Sequence, residues 1–187
     1  MARTATNGVG IQNCPVIRHV AILGLMGVGK SSVGAELVRR LGWPFVDNDA
    51  ALAARTGGTP RDVEREVGAE RLHDLEAQQL LEALAAPGPT VISAAASTIE
   101  DDRCRRALSS PDVFVVWLRA PTALLAARAR RGDHRPELGS DLDALNRRQI
   151  DVRERHFRSA ADLVIDASVS SPARQAARIE ARLRRES

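Results

Sequence analysis

The chain of 187 residues is poor in aromatic side chains and has no long apolar run. Phe and Trp make up 3 % of it, and Tyr is absent. Proteins that bind single-stranded nucleic acid stack its bases on such rings, so we expect no nucleic-acid partner. A membrane-spanning helix needs about 20 consecutive apolar residues. No run in the sequence approaches that length, so we expect no membrane partner either.

Cysteine is scarce as well. The two cysteines, Cys14 and Cys104, do not have the spacing of a metal-binding motif. Unpaired thiols are typical of a reducing compartment, so we expect a cytoplasmic protein. The first 18 residues lack the apolar core of a signal peptide. We interpret residues 1–14 as a flexible N-terminal tail, with a transit peptide as the alternative. We expect residues 15–187 to form a single, monomeric domain.

Lysine is nearly absent, although the chain is basic. Of the 27 Lys and Arg residues only Lys30 is lysine, and the net charge is +3. A modest excess of arginine suits small anionic ligands. Because arginine supplies every other positive side chain of this kind, a retained lysine indicates that its position needs a compact ammonium group and not a planar guanidinium.

Lys30 lies in a glycine-rich stretch that reads Gly24-x-x-x-x-Gly29-Lys30-Ser31, the pattern of a phosphate-binding loop. An apolar run precedes the loop and a helical pattern follows it, as the pattern requires. We expect Lys30 to reach the β- and γ-phosphates and Ser31 to ligate Mg²⁺. An ordinary glycine-rich turn is the alternative. The residues expected to surround the phosphates are Gly27, Val28, Gly29, Lys30, Ser31 and Ser32.

Apolar runs and amphipathic patterns alternate along the chain, which predicts an α/β protein with a parallel sheet and helices on both of its faces. Residues 132–140 form a polar loop that contains Gly and Pro, and we interpret it as a mobile lid. The strands are expected at residues 19–23, 44–49, 90–93, 113–118 and 163–166.

Two aspartates, Asp47 and Asp49, end the second predicted strand. Alternation along an extended chain would place both carboxylates on the same side, beside the phosphate-binding loop. The alternative is a solvated turn or a helix N-cap.

The phosphate-binding loop followed by Trp43-Pro44-Phe45-Val46-Asp47-Asn48-Asp49 resembles the shikimate kinase family. The resemblance extends over about residues 19–185, because Ala54–Gly57, Arg135–Leu138 and Arg153–Phe157 occur in the family's order and spacing. It implies a three-layer P-loop kinase fold with five parallel strands in the order 2-3-1-4-5, helices on both faces and a mobile lid. It also implies ATP and Mg²⁺ as cofactors.

The resemblance assigns different roles to the two aspartates. Asp47 would help to hold the hydration shell of Mg²⁺, whereas Asp49 would bind the acceptor hydroxyl groups and accept the proton of the attacking one. Phosphoryl transfer requires mainly positioning and charge neutralisation. The catalytic residues that the resemblance implies are therefore Lys30, Asp49 and Arg135.

Three arginines also match family positions. Arg135 would close with the lid over the phosphates, Arg128 would lie against the adenine ring, and Arg153 would bind the carboxylate of the substrate. For each of them the alternative is an exposed position on a solvated helix face.

The sequence departs from the family on the substrate side. Ala95-Ala96-Ser97 replaces a glycine triplet whose backbone meets the substrate, His73 replaces a second carboxylate-binding arginine, and Ala69 replaces a glutamate. Alanine at a positive φ would be strained, and its methyl group would protrude into the pocket. Glu76, which supports the substrate side in the family, is retained.

We therefore expect an ATP-dependent kinase that phosphorylates a hydroxyl group of shikimate or of a related polyhydroxylated compound. Two alternatives stay open. One is a kinase with a different acceptor, such as a sugar acid or another polyol. The other is a protein that binds nucleotides without catalysis. The low aromatic content argues against a nucleoside acceptor.

Overall fold

A computed structural model describes residues 16–129, 151 and 153–186. The N-terminal tail, the proposed lid and Arg135 lie outside the described residues, so the expectations about them stay predictions. Five parallel strands form one sheet in the order β2-β3-β1-β4-β5, which confirms the order implied by the resemblance. The strands are β1 (His19–Leu23), β2 (Phe45–Asp47), β3 (Thr90–Ser93), β4 (Val113–Arg119) and β5 (Leu163–Asp166).

Helices lie around the sheet, with α1 packed against α8 and α4 against α5. Among the described helices, none is both long and apolar enough to cross a membrane. The helices are α1 (Lys30–Leu41), α2 (Asn48–Thr56), α3 (Pro60–Val67), α4 (Ala69–Leu84), α5 (Asp102–Leu108), α6 (Thr122–Ala129), α7 (residues 153–160) and α8 (Pro172–Leu183), and a 3₁₀ helix spans Ala96–Glu100.

The core is built on the two central strands. All five residues of β1 are buried, as are the first six of β4, because both strands have neighbours on each side and helices above them. The ring of Trp117 in β4 stacks on Phe157 in α7, with 5.7 Å between the ring centroids. This stack attaches α7 to the middle of the sheet.

The carboxyl ends of the strands meet at one edge of the sheet. Ile22 of β1 and Asp47 of β2 both lie beside Ser93 of β3 in the parallel register. The phosphate-binding loop follows β1, and α2 follows β2, so both start at this edge. Open parallel sheets bind their ligands at this edge.

Asp49 is not on a strand, contrary to the expectation. Helix α2 begins at Asn48, and the Asp47 side chain accepts hydrogen bonds from the N–H groups of Asp49 at 3.1 Å and Ala50 at 3.3 Å. Asp47 is therefore the N-cap of α2, and strand alternation is the wrong explanation for the position of the two carboxylates. A short acceptor side chain before a helical pattern favours this cap.

Helix α3 begins as its sequence predicts. Thr59 and Asp62 form a capping box, in which each side chain accepts a hydrogen bond from the other residue's backbone N–H, and Pro60 occupies the first turn. The cap fixes the start of α3, which contributes one wall of the cavity described next.

Candidate active site

The phosphate-binding loop takes a conformation that only glycine permits at two positions. Gly24 has φ +143°, and a side chain there would place its Cβ 2.4 Å from the carbonyl oxygen of Leu118. Gly29 has φ +104°, and the space where a Cβ would project is empty to beyond 4 Å. The loop therefore lies tightly against β4 at its start and opens into free space at its end, where α1 begins.

Lys30 and the first serines of α1 lie around this opening. The ammonium of Lys30 donates hydrogen bonds to the carbonyl oxygens of Gly24 at 2.9 Å and Leu25 at 3.4 Å, so it folds over its own loop. Ser31 and Ser32 are exposed in the first turn of α1, where backbone N–H groups and the helix dipole favour an anion.

A cavity of about 880 Å³ extends from this loop toward α2, α3, α4, the 3₁₀ helix and α7. The structure thus brings most of the predicted site residues to one cavity. Those that line it are Gly27, Val28, Gly29, Lys30, Ser31, Ser32, Asp49, His73, Ala95, Ala96, Ser97 and Arg153.

Among the predicted site residues whose side chains the structure describes, Asp47 does not line the cavity. Asp47 lies behind Asp49 as the cap of α2. Arg128 falls within α6, and its side chain lies outside what the structure describes, as does the whole of Arg135.

The two carboxylate oxygens of Asp47 have different surroundings. Oδ1 caps α2, whereas Oδ2 is buried and has no hydrogen-bond partner among the described residues. A buried carboxylate oxygen without a donor is costly, and a hydrated cation would satisfy it. The carboxylate of Asp47 and the hydroxyl of Ser31 are oxygen donors of the kind that Mg²⁺ prefers.

The described residues offer no cation site made of protein ligands alone. No group of three or more His, Cys, Asp or Glu side chains among them is arranged to hold a metal ion. Mg²⁺ is usually held by one or two protein oxygens together with water and phosphate oxygens. The site thus fits Mg²⁺ only as a companion of bound phosphate.

Glu76 is the carboxyl group most affected by the cavity. It is 7 % exposed in the middle of α4, and burial raises its pKa to about 7. Asp49 raises this pKa further, whereas a hydrogen bond from Ser97 and the positive charges of Arg153 and Lys30 lower it. Glu76 and these four side chains all line the same cavity.

The segment after β3 differs from the expectation. Ala95 has φ −64° and ψ +147°, an ordinary extended conformation, and no residue other than glycine has a positive φ in the part of the chain that the structure describes. The expected strain at the alanines is therefore wrong. The chain enters a 3₁₀ helix at once, and the Thr98 hydroxyl donates to the Ala95 carbonyl at 2.7 Å. The alanines line the cavity without distorting the backbone.

Arg153 is paired inside the protein. Its side chain is 9 % exposed, Nη2 donates to Glu100 Oε2 at 3.1 Å, and Nε lies 3.0 Å from Glu100 Oε1. Sequence reasoning missed Glu100, which ends the 3₁₀ helix 53 residues before its partner. It could have been noticed only as an acid in the segment that replaces the glycine triplet.

Comparisons with known proteins show to which family the chain belongs. The model of the shikimate kinase family matches residues 26–184. Shikimate kinase of Symbiobacterium thermophilum is 35 % identical over 145 residues, which cover 76 % of this chain and 82 % of that protein. Shikimate kinase of Paramagnetospirillum magneticum is 31 % identical over 157 residues, which cover 83 % and 78 %.

Solved structures share the fold at lower sequence identity. A shikimate kinase from Acinetobacter baumannii in complex with shikimate has a TM-score of 0.82 and 24 % identity, over 89 % of this chain and 92 % of that one. A gluconokinase from Sinorhizobium meliloti has a TM-score of 0.62 and 20 % identity, over 92 % and 98 %. The family model, the relatives and the P-loop kinase fold lead to one conclusion: this chain belongs to the shikimate kinase family.

Proposed function

We propose that the protein is a Mg²⁺-dependent kinase that transfers the γ-phosphoryl group of ATP to a hydroxyl group of a small polyhydroxylated molecule. One observation carries the proposal: the phosphate-binding loop with Lys30 and the acceptor-side carboxylates Asp49 and Glu76 line the same cavity. Donor and acceptor can therefore lie in contact without leaving it.

The phosphate end of the cavity neutralises charge. Backbone N–H groups of the loop and of the first turn of α1 bind phosphate oxygens, and the helix dipole adds to their effect. The ammonium of Lys30 is close enough to its own loop to exchange the carbonyl oxygens it now contacts for phosphate oxygens. ATP supplies the transferable phosphoryl group, and Asp47 and Ser31 would hold its Mg²⁺.

The acceptor end orients the hydroxyl group. Asp49 lies in the first turn of α2, on the cavity side, where its carboxylate can accept the proton of the attacking hydroxyl. Glu76 lies opposite and accepts a hydrogen bond from Ser97. With a pKa of about 7, Glu76 is partly protonated at neutral pH, so it can both donate and accept hydrogen bonds with a substrate hydroxyl group.

A phosphoryl-transfer assay tests the proposal. The purified protein, with ATP and Mg²⁺, is incubated with a panel of hydroxylated acids, sugars and cyclic polyols, and phosphorylated product is measured by mass spectrometry. We expect product from at least one compound, and a loss of at least about 100-fold in kcat for Asp49→Asn.

Asp102→Asn is the matched control, because Asp102 is an exposed aspartate on α5 that does not line the cavity. This variant should keep wild-type activity. ATP binding without transfer to any compound would contradict the proposal and favour a non-catalytic nucleotide-binding protein. An Asp49→Asn variant as active as wild type would remove Asp49 from the catalytic residues.

A further inference from the structure

The buried cation at the acceptor end is already neutralised. Arg153 lines the cavity, whereas its partner Glu100 does not, so the carboxylate of Glu100 compensates the guanidinium from behind. A carboxylate of the acceptor would have to compete with one that is built into the protein and held by contacts with two nitrogens.

The other charged side chains of this end are mostly acidic. Asp49, Glu64 and Glu76 line it from α2, α3 and α4, and among the described lining residues Arg61 is the cation on the same wall, three residues before Glu64. Lys30 lies at the phosphate end, over its own loop. Among the described residues, the acceptor end of the cavity therefore carries more acidic than basic side chains.

We propose that the acceptor is a polyol without a carboxylate group, a statement that rests on the kinase function proposed above. Hydroxyl groups can donate to the carboxylates of Asp49 and Glu64 and can also accept hydrogen bonds. An ionised carboxylate only accepts hydrogen bonds, so a carboxylate of the acceptor cannot donate to Asp49 or Glu64.

The state of Glu76 agrees with this assignment. Burial and the charge of Asp49 already raise its pKa to about 7. A second anion beside it would disfavour its ionised form further, whereas a hydroxyl group that donates to it would favour that form. A neutral acceptor thus fits the electrostatics of this wall better than an acid does.

Matched pairs of acceptors test the proposal. Gluconate is compared with glucitol, and shikimate with its methyl ester, so that each pair differs in the carboxylate alone. We expect the neutral member to have the higher kcat/KM by at least about 10-fold, and to bind more tightly by calorimetry with a non-hydrolysable ATP analogue and Mg²⁺ present. Higher kcat/KM for the acid in both pairs would overturn the proposal.

Glu100→Gln tests whether the pairing of Arg153 with Glu100 causes the preference for a neutral acceptor. Removing the charge of Glu100 leaves Arg153 available to an acid, so the preference for the neutral member should shrink about 10-fold or reverse. Glu154→Gln is the matched control, because Glu154 makes an ion pair with Arg158 on the same helix α7 and does not line the cavity. Equal effects of the two variants on the preference would contradict the proposal.

Glu64→Gln provides a second variant that does not disturb a buried pair, since Glu64 is exposed on α3. It should shift the preference toward acids in the same direction as Glu100→Gln, and an unchanged preference in both variants counts against the proposal. If wild type prefers acids and Arg61→Gln removes that preference, Arg61 binds the carboxylate and the proposal is wrong.

The two proposals fail in different ways. A higher kcat/KM for the acid in both pairs would leave the kinase function standing and reject the carboxylate-free acceptor. Absence of transfer to every member of both pairs, together with equal calorimetric binding of acid and neutral compound, would reject both.

Discussion

Glu76 is a buried carboxyl group whose surroundings disfavour its charged form. Its carboxyl group is buried, close to Asp49, and compensated only in part by Ser97, Arg153 and Lys30. A buried acid with a raised pKa favours the folded state when it is protonated and disfavours it when it is ionised. Such a group is often found at a functional site.

The stability of the protein should therefore fall as the pH rises through the range in which Glu76 titrates. Its pKa is 4.5 without perturbation and about 7 in the folded protein, so between these values the folded state binds more protons than the unfolded state. By linkage the free energy of unfolding decreases from pH 4.5 to pH 7 by up to about 3 kcal/mol. Urea unfolding at pH 5 and pH 8 measures the difference.

Glu76→Gln removes this titration, so its stability should depend less on pH than that of the wild type, by roughly the same amount. The surface variant Glu154→Gln should keep the wild-type dependence. If Glu76→Gln leaves the difference between pH 5 and pH 8 unchanged, the pKa of Glu76 is not the cause.

At the scale of the elements, the starts of two helices decide where the chemistry can occur. Helix α1 begins at the end of the phosphate-binding loop, and α2 begins at the cap formed by Asp47. The same aspartate closes the helix with Oδ1 and directs Oδ2 to a place with no described partner. Asp47 thus has a structural role as the N-cap of α2 and a proposed role in binding Mg²⁺.

Two substitutions of Asp47 separate these roles. Asn retains a capping oxygen and removes the charge, so Asp47→Asn should lose at least about 10-fold in kcat while its melting temperature stays near that of the wild type. Ala removes both, so Asp47→Ala should lose activity and also about 1 kcal/mol of stability. Kinetics and thermal unfolding of the two variants check this, and full activity of Asp47→Asn would confine Asp47 to capping.

Gly24 tests the packing of the loop against β4. A Cβ at this position would lie 2.4 Å from the Leu118 carbonyl oxygen, with φ at +143°, so Gly24→Ala must displace backbone. We expect a loss of about 2–4 kcal/mol in the free energy of unfolding.

Gly57 is the control, because it has φ +78° and open space around the position of a Cβ. Gly57→Ala should cost only about 1 kcal/mol, the cost of a positive φ alone. Chemical denaturation of both variants separates the steric contribution from the conformational one. Equal losses in the free energy of unfolding would show that the Leu118 backbone moves aside at little cost.

For the molecule as a whole, ligand binding should appear as added stability. ATP with Mg²⁺ at 100 times its Kd should add about 2.7 kcal/mol to the free energy of unfolding, a shift of about 5–10 °C in melting temperature for a protein of this size. Chelation of Mg²⁺ should remove most of the shift, and Lys30→Met should abolish it. A thermal-shift experiment measures both, and a shift that survives Lys30→Met would place the nucleotide elsewhere.

Most of the fold could be predicted from the sequence because its signals are local. Strands β1, β3 and β5 have the predicted bounds, since short runs of apolar and β-branched residues define them. The sequence predicts Asp49 at the end of a strand and not in a helix, because aspartate is as common after a strand as at the start of a helix. The Arg153–Glu100 pair depends on two segments 53 residues apart in the chain, and no local pattern announces such a contact.

The ring stack between Trp117 and Phe157 holds helix α7, which carries Arg153, against the sheet. Phe157 follows Arg153 by four residues on α7, so one turn of helix connects the guanidinium to the interior of the sheet. A smaller side chain in place of Phe157 would let that turn drift and carry the guanidinium away from Glu100. A residue whose ring is fully buried in the core would then influence which molecule the enzyme accepts.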